Sequence, residues 1–125
     1  MQKLLIVGLG GFLGTIARYG LGHFVVQLKG GTAFPFHTLL VNVLGCLAIG
    51  FFGGLSTTRA PLSENLRAFL FIGVLGGFTT FSSFGYETFQ LFRDDRADAA
   101  FLSMGLQLFL GLGAVWAGVA VARAV

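Results

Sequence analysis

The sequence predicts an all-α membrane protein of four transmembrane helices with a break in the third. Three observations carry that expectation. Of 125 residues, 55% are hydrophobic and only 10% are charged, with a mean hydropathy of +0.86. Soluble domains are close to a quarter charged. The apolar residues gather in four runs, at about 4–26, 36–55, 66–92 and 99–122. Each meets the roughly 20 residues that a helix needs to cross a bilayer core. The linkers, at 27–32, 56–65 (with Pro61) and 93–98, are short. Successive helices are therefore antiparallel neighbours in one domain covering 1–125.

The same numbers exclude other classes. A net charge of +3, from eight Lys and Arg against five acids, reports on topology in a chain this apolar and gives no ground for nucleic-acid binding. The single cysteine, Cys46, has no intramolecular partner and reads as a small buried hydrophobe. Met1-Gln2-Lys3 and the apolar run behind it resemble a signal peptide, but no small-x-small cleavage site closes the run. It is read as a retained span.

The first span carries Gly10 and Gly14, four apart, a spacing that lets helix backbones approach closely. Its glycines do not make a dinucleotide fingerprint, because the spacing is wrong and no βαβ unit frames them. Arg18 stands near the far end. It either snorkels to the interface or supplies positive potential at a vestibule, and both roles are compatible. The second span places Thr38 and Asn42 on one helical face. Asn42 is either an interhelical hydrogen-bonding group or a donor to a dehydrated anion. His37, just before this face, reads as an interfacial histidine, with no second ligand nearby to suggest a transition-metal site.

The third span is the unusual one. Over 73–84 it holds the pair Gly76-Gly77, then Thr79, Thr80, Ser82 and Ser83, with Phe78, Phe81 and Phe84 at three-residue spacing. Polar and backbone-loosening residues at membrane depth are costly unless they line a cavity, a partner or an ion site. The double glycine is expected to let the helix unwind, offering carbonyls to a small cation as the broken helices of transporters do. The phenyl rings have positive edges that stabilise an anion without a fixed charge that would trap it. Glu87 follows, facing a vestibule or, on the blander reading, pairing with an arginine. The fourth span sets Ser103 and Gln107 four apart, lining a pathway or bonding a neighbouring helix, and carries Ala114, Gly118 and Ala122 at packing spacing.

Positive charges divide almost evenly between the two ends of the bundle. Lys3, Arg59, Arg67 and Arg123 face Lys29, Arg93 and Arg96, with Arg18 added if it snorkels that way. So small a bias leaves orientation open. Insertion both ways would allow an antiparallel homodimer.

These residues carry a resemblance. Gly10-Gly11-x-x-Gly14 with Arg18-Tyr19, Thr38-Leu39-x-Val41-Asn42-x-x-Gly45, and Gly73-x-x-Gly76-Gly77-x-Thr79-Thr80-Phe81-Ser82-x-Phe84 with Glu87 resemble the Fluc (CrcB) family of fluoride channels over essentially the whole chain. The third stretch is the most specific and the fourth-helix match the loosest. The family commonly continues Ser-Thr-Phe-Ser after Phe81; this chain has Ser82-Ser83-Phe84-Gly85. Many members have Tyr then Ser on the fourth helix where Ser103 and Gln107 stand here.

The resemblance implies a dual-topology antiparallel homodimer in a bacterial or archaeal plasma (inner) membrane. It implies two fluoride pores and a structural, non-transported Na+ at the dimer centre. The sodium would be held by backbone oxygens of Gly76 and Thr79 from both subunits. Phe81 and Phe84 would be the pore phenylalanines and Asn42 the pore asparagine. Thr38, Ser82, Ser83, Ser103 and Gln107 would extend the pathway, with Glu87 and Arg18 at the vestibule. Fluoride would leave the cytoplasm passively, with no enzymatic step. The competing expectation is a dual-topology, proton-coupled small-molecule exporter. Such exporters need a titratable carboxylate within a span, classically the first, and 4–26 has none.

Overall fold

The fold is described from a computed structural model, over residues 1–58 and 61–125. It is all helical among the described residues, with four helical spans long and apolar enough to cross a membrane. The chain is a multi-pass membrane protein. The spans are α1 (Gln2–Lys29), α2 (Phe36–Thr58), a third running Glu64–Arg93, and α6 (Ala97–Ala124). Each outruns the apolar stretch that announces it, because polar end residues such as Lys29 and Arg93 continue the helix toward the headgroups. The part of the 56–65 linker at Arg59 and Ala60, and with it the charge counted at Arg59, lies outside the described residues.

α1 ends at Gly30, whose backbone is left-handed (φ 68°) and whose N–H returns to the Val26 carbonyl. That is the ending glycine provides and residues with a Cβ resist. The third span starts on Ser63, whose hydroxyl accepts the Leu66 N–H. It then runs through four segments: α3 (Glu64–Arg67), a π-helical segment (Ala68–Leu75), α4 (Gly76–Phe78) and α5 (Phe81–Arg93). Eight π-helical residues are far more than the single-turn bulge usual inside helices.

The expected break is present, but not on the double glycine. Gly76 keeps α-helical angles (φ −63°, ψ −36°), and the chain leaves the helix at Thr79 (φ −83°, ψ 157°) and Thr80 (φ −151°, ψ 111°). Gly77, and Gly10 on α1, are there for packing. A Cβ on Gly77 would lie 2.6 Å from the Gly11 carbonyl oxygen, and one on Gly10 2.6 Å from the Phe69 carbonyl oxygen. No side chain fits at those distances, so α1 and the third span meet backbone to backbone. The exit falls at Thr79–Thr80 because polar partners for the freed amides stand opposite, as described below.

Two such glycine seams build the molecule. α1 lies along the π segment and α4, and α2 lies along α6. In the second seam, a Cβ on Gly54 would meet the Ala122 methyl at 2.7 Å, and Gly50 and Gly118 rest against backbone of the opposite helix. Gly10, Gly14, Gly118 and Ala122 thus do what their spacing foretells. Large apolar side chains stay exposed along the outer faces of α1 and α6, such as Leu9, Phe12, Phe109 and Trp116. In a bilayer that surface is in its own solvent. At one end Leu91, Ala99 and Ala100 close over Phe34, and at the other Lys3 pairs with Glu64.

Candidate functional site

The break gathers the site around it. Thr80 is the N-cap of α5: its hydroxyl accepts the Ser83 N–H at 3.2 Å and donates to Ser83 Oγ at 3.0 Å. Its own N–H, released from the ladder, donates to Asn42 Oδ1 at 2.9 Å. Asn42 Nδ2 in turn donates to the Thr80 carbonyl at 3.2 Å and to Gln107 Oε1 at 3.1 Å. One amide on α2 therefore clamps both backbone groups of the residue at which the third span breaks. Gly45, one turn further along α2, has no side chain where Thr79 packs over it.

These bonds fix more than position. An amide's oxygen and nitrogen are told apart only by their partners. The Thr80 N–H can only donate, so Asn42 must present its oxygen there and its NH2 to Gln107. Gln107 must then answer with its oxygen. Its Nε2 is left buried, with no partner among the described residues. The network ends in an uncommitted donor. This is one direct consequence of the break that sequence inspection could pair by helix face but not orient.

Around these groups lies an open groove of about 560 Å³, lined by Asn42, Thr79, Thr80, Gln107, Phe81 and Phe84 among others. The two rings meet edge to face, with centroids 5.6 Å apart and planes at 65°. Phe81 is 82% exposed, extraordinary for a ring beside buried amides. A second, narrower cavity of about 70 Å³ shares Thr80 with the groove and is lined by Arg18, His37, Thr38, Ser83 and Glu87. Thr38 is buried and donates to Glu87 Oε1 at 2.7 Å. Thr80, Ser83 and Glu87 share one face of the third span, three and four residues apart, which is why they meet here. An outer cavity of about 380 Å³ between α1 and the start of α2 adjoins it through Arg18, Gly22 and His37. Groove, narrow cavity and outer cavity thus follow one another through shared residues.

The sequence-expected residues fall into two groups accordingly. Asn42, Gln107, Phe81, Phe84, Gly76 and Thr79 line the groove; Arg18, Thr38, Ser83 and Glu87 line the narrow cavity. Ser82 is exposed, with its hydroxyl 3.3 Å from that of Thr80, and lines none of the three spaces. Ser103 is fully buried and lines none of them either; its hydroxyl has no partner among the described residues. Among the described residues Glu87 pairs with no arginine. Its partners are Thr38 and His37, whose Nε2 lies 3.2 Å from Oε1. The reason is placement: α2 begins beside α5 and sets His37 and Thr38 against Glu87. Two residues that sequence reading left out of the site belong to it, His37 and Thr80. Thr80 carried a signal, a hydroxyl residue placed to cap whatever follows a break; His37 carried none beyond standing next to Thr38.

The break also frees carbonyls. In a continuous helix the Thr80 N–H would serve the Gly76 carbonyl and the Ser83 N–H the Thr79 carbonyl. Here they serve Asn42 and the Thr80 hydroxyl instead. Among the described residues no three His, Cys, Asp or Glu side chains cluster, so a cation at the break would rest on such oxygens.

The family model described as CrcB-like protein, Camphor Resistance (CrcB), matches residues 5–119. The Fluoride-specific ion channel FluC of Nitratidesulfovibrio vulgaris is 45% identical over 125 residues, covering 100% of both chains. That of Rhizobium etli is 42% identical over 124 residues, 99% of this chain and 98% of its own. That of Chloroflexus aurantiacus is 44% identical over 123 residues, 98% of this chain and 97% of its own. These relatives are ion channels by name and not enzymes. Identity of this order, end to end over a chain with the same four-span plan, makes this protein a member of the CrcB family.

Proposed function

We propose that this protein is a fluoride-selective channel, through which fluoride leaves the cytoplasm passively and its toxicity is relieved. The observation that carries the reading is the Gln107 Nε2, a buried amide donor left without a partner among the described residues, in a groove walled by Phe81 and Phe84. Fluoride is small, strongly hydrated and a strong hydrogen-bond acceptor. It gives up its water only to donors that replace it, and a narrow path of amides, hydroxyls and ring edges does so while larger anions do not fit. Asn42 holds the donor in place. Thr38 and Ser83 continue the polar lining toward Arg18 and Glu87. A negative-inside potential drives the anion outward, by about 2.3 kcal/mol per 100 mV.

The finer reading is a dual-topology antiparallel homodimer. Its support is the groove itself. Asn42, Gln107 and an almost bare Phe81 flank an opening that hydrocarbon would meet at a cost. A second copy, inverted, covers it and completes the walls. The freed carbonyls of Gly76 and Thr79 suit a structural, non-transported sodium ion, a hard cation that takes oxygen ligands. When bound, the ion supplies fixed positive charge between the two copies. The exporter alternative finds no supporting observation: 4–26 contains no carboxylate, and Glu87 is tied to Thr38 and His37.

Gln107→Leu tests the carrying observation. It keeps the side-chain volume and removes the donor. Fluoride efflux from liposomes should fall about ten- to a hundredfold, as one hydrogen bond to a charged group contributes about 1.5–3 kcal/mol. Undiminished efflux would remove Gln107 from the pathway.

A further inference from the structure

The pair His37–Glu87 stands where the outer cavity gives way to the narrow one. The groups facing His37 are few. From α1 come Arg18, Tyr19 and His23, all lining the outer cavity with it; from α5 comes Glu87. His23 is engaged with Gln27 at 3.0 Å and stacks on Tyr19, while Lys29 lies over the Phe36 ring, 5.1 Å from its centroid. On α2 itself, Thr38 binds the same carboxylate oxygen that His37 approaches. The other oxygen of Glu87 is buried, with no partner among the described residues. Arg18 makes no ion pair among the described residues.

We propose that His37 is a positioning residue for the anion entrance: it acts through Glu87, and its charge sets the sign of the field an entering anion meets. The arithmetic is simple. With a neutral imidazole, Arg18 (+1) and Glu87 (−1) cancel. With an imidazolium, the sum at the entrance becomes +1. Imidazole is the side chain that changes charge between about pH 5 and 8. Charge of one sign along a walled entrance raises the local concentration of the opposite ion. The protonated ring also donates Nε2–H to Oε1, which holds Glu87 against Thr38 and out of the anion's way. Acidification therefore opens the entrance electrostatically, with no moving part beyond a proton.

The inference rests on the channel reading above, and the test separates the two. The reconstituted full-length protein is recorded in planar bilayers, in symmetric fluoride, with both sides at pH 6 and then pH 8. Current counts the ion, since neutral hydrogen fluoride carries none. Wild-type current should be at least about threefold larger at pH 6, a modest case of electrostatic focusing. His37→Gln, which keeps a donor but cannot charge, should be flat and low. His37→Lys, always charged, should be flat and high. A conducting wild type with no pH dependence, or a His37→Gln variant that keeps the wild-type profile, overturns the assignment to His37. Absence of fluoride current from the wild type at both pH values overturns the channel reading and this inference with it.

Discussion

Asn42→Ala should lower fluoride flux by about one to two orders of magnitude, the rate equivalent of the roughly 1–3 kcal/mol that a stranded buried polar group costs. The alanine removes three bonds at once. The Thr80 N–H and carbonyl lose their clamp, and Gln107 Oε1 loses the donor that orients it. The break then has no fixed exit, and the amide that faces the groove is free to turn. Asn42→Asp sharpens the point. It retains an acceptor for the Thr80 N–H but cannot donate to Gln107, and it adds a negative charge to an anion path. If flux depends on the amide network, Asp should be at least as damaging as Ala. Liposome efflux rates, paired with gel-filtration profiles to confirm intact assembly, check both. An Asn42→Asp variant with wild-type flux would refute the network's role.

Phe81→Ile and Phe84→Ile should each cut flux by about two- to tenfold and leave assembly unchanged. Isoleucine preserves an apolar wall of similar bulk but has no ring edge. What is lost is the electrostatic part of the contact, of the order that separates aromatic from aliphatic partners, about 0.5–1.5 kcal/mol. Because the rings lean on one another edge to face, removing one also frees the other to rotate. The two substitutions should therefore not be additive. Stopped-flow or electrode measurement of fluoride release decides the matter. Unaltered rates would show the rings to be packing only.

Much of this site was legible because polar residues are conspicuous in an apolar chain. Thr38 and Asn42 share a face by spacing, and the stretch 73–84 could not be an ordinary lipid-facing helix. What remained hidden followed from contacts between spans. Gly76-Gly77 looks like the point of unwinding, since glycine loosens a helix. Gly77 instead serves close approach to Gly11, and the unwinding passes to Thr79–Thr80, where Asn42 waits. The partner of Glu87 was equally out of reach. An arginine is the ordinary counter-charge for a membrane glutamate, but the start of α2 brings a histidine and a threonine instead. Seam glycines were readable by their four-residue spacing; the π-helical stretch Ala68–Leu75 has no counterpart in the sequence pattern.

One measurement bears most directly on the central claim. Purified protein is reconstituted into liposomes loaded with equal fluoride and chloride, a potassium gradient and valinomycin set an inside-negative potential, and an electrode for each anion follows release. The account predicts rapid fluoride efflux with chloride retained as in protein-free liposomes. Equal release of both anions, or release of neither, would contradict it.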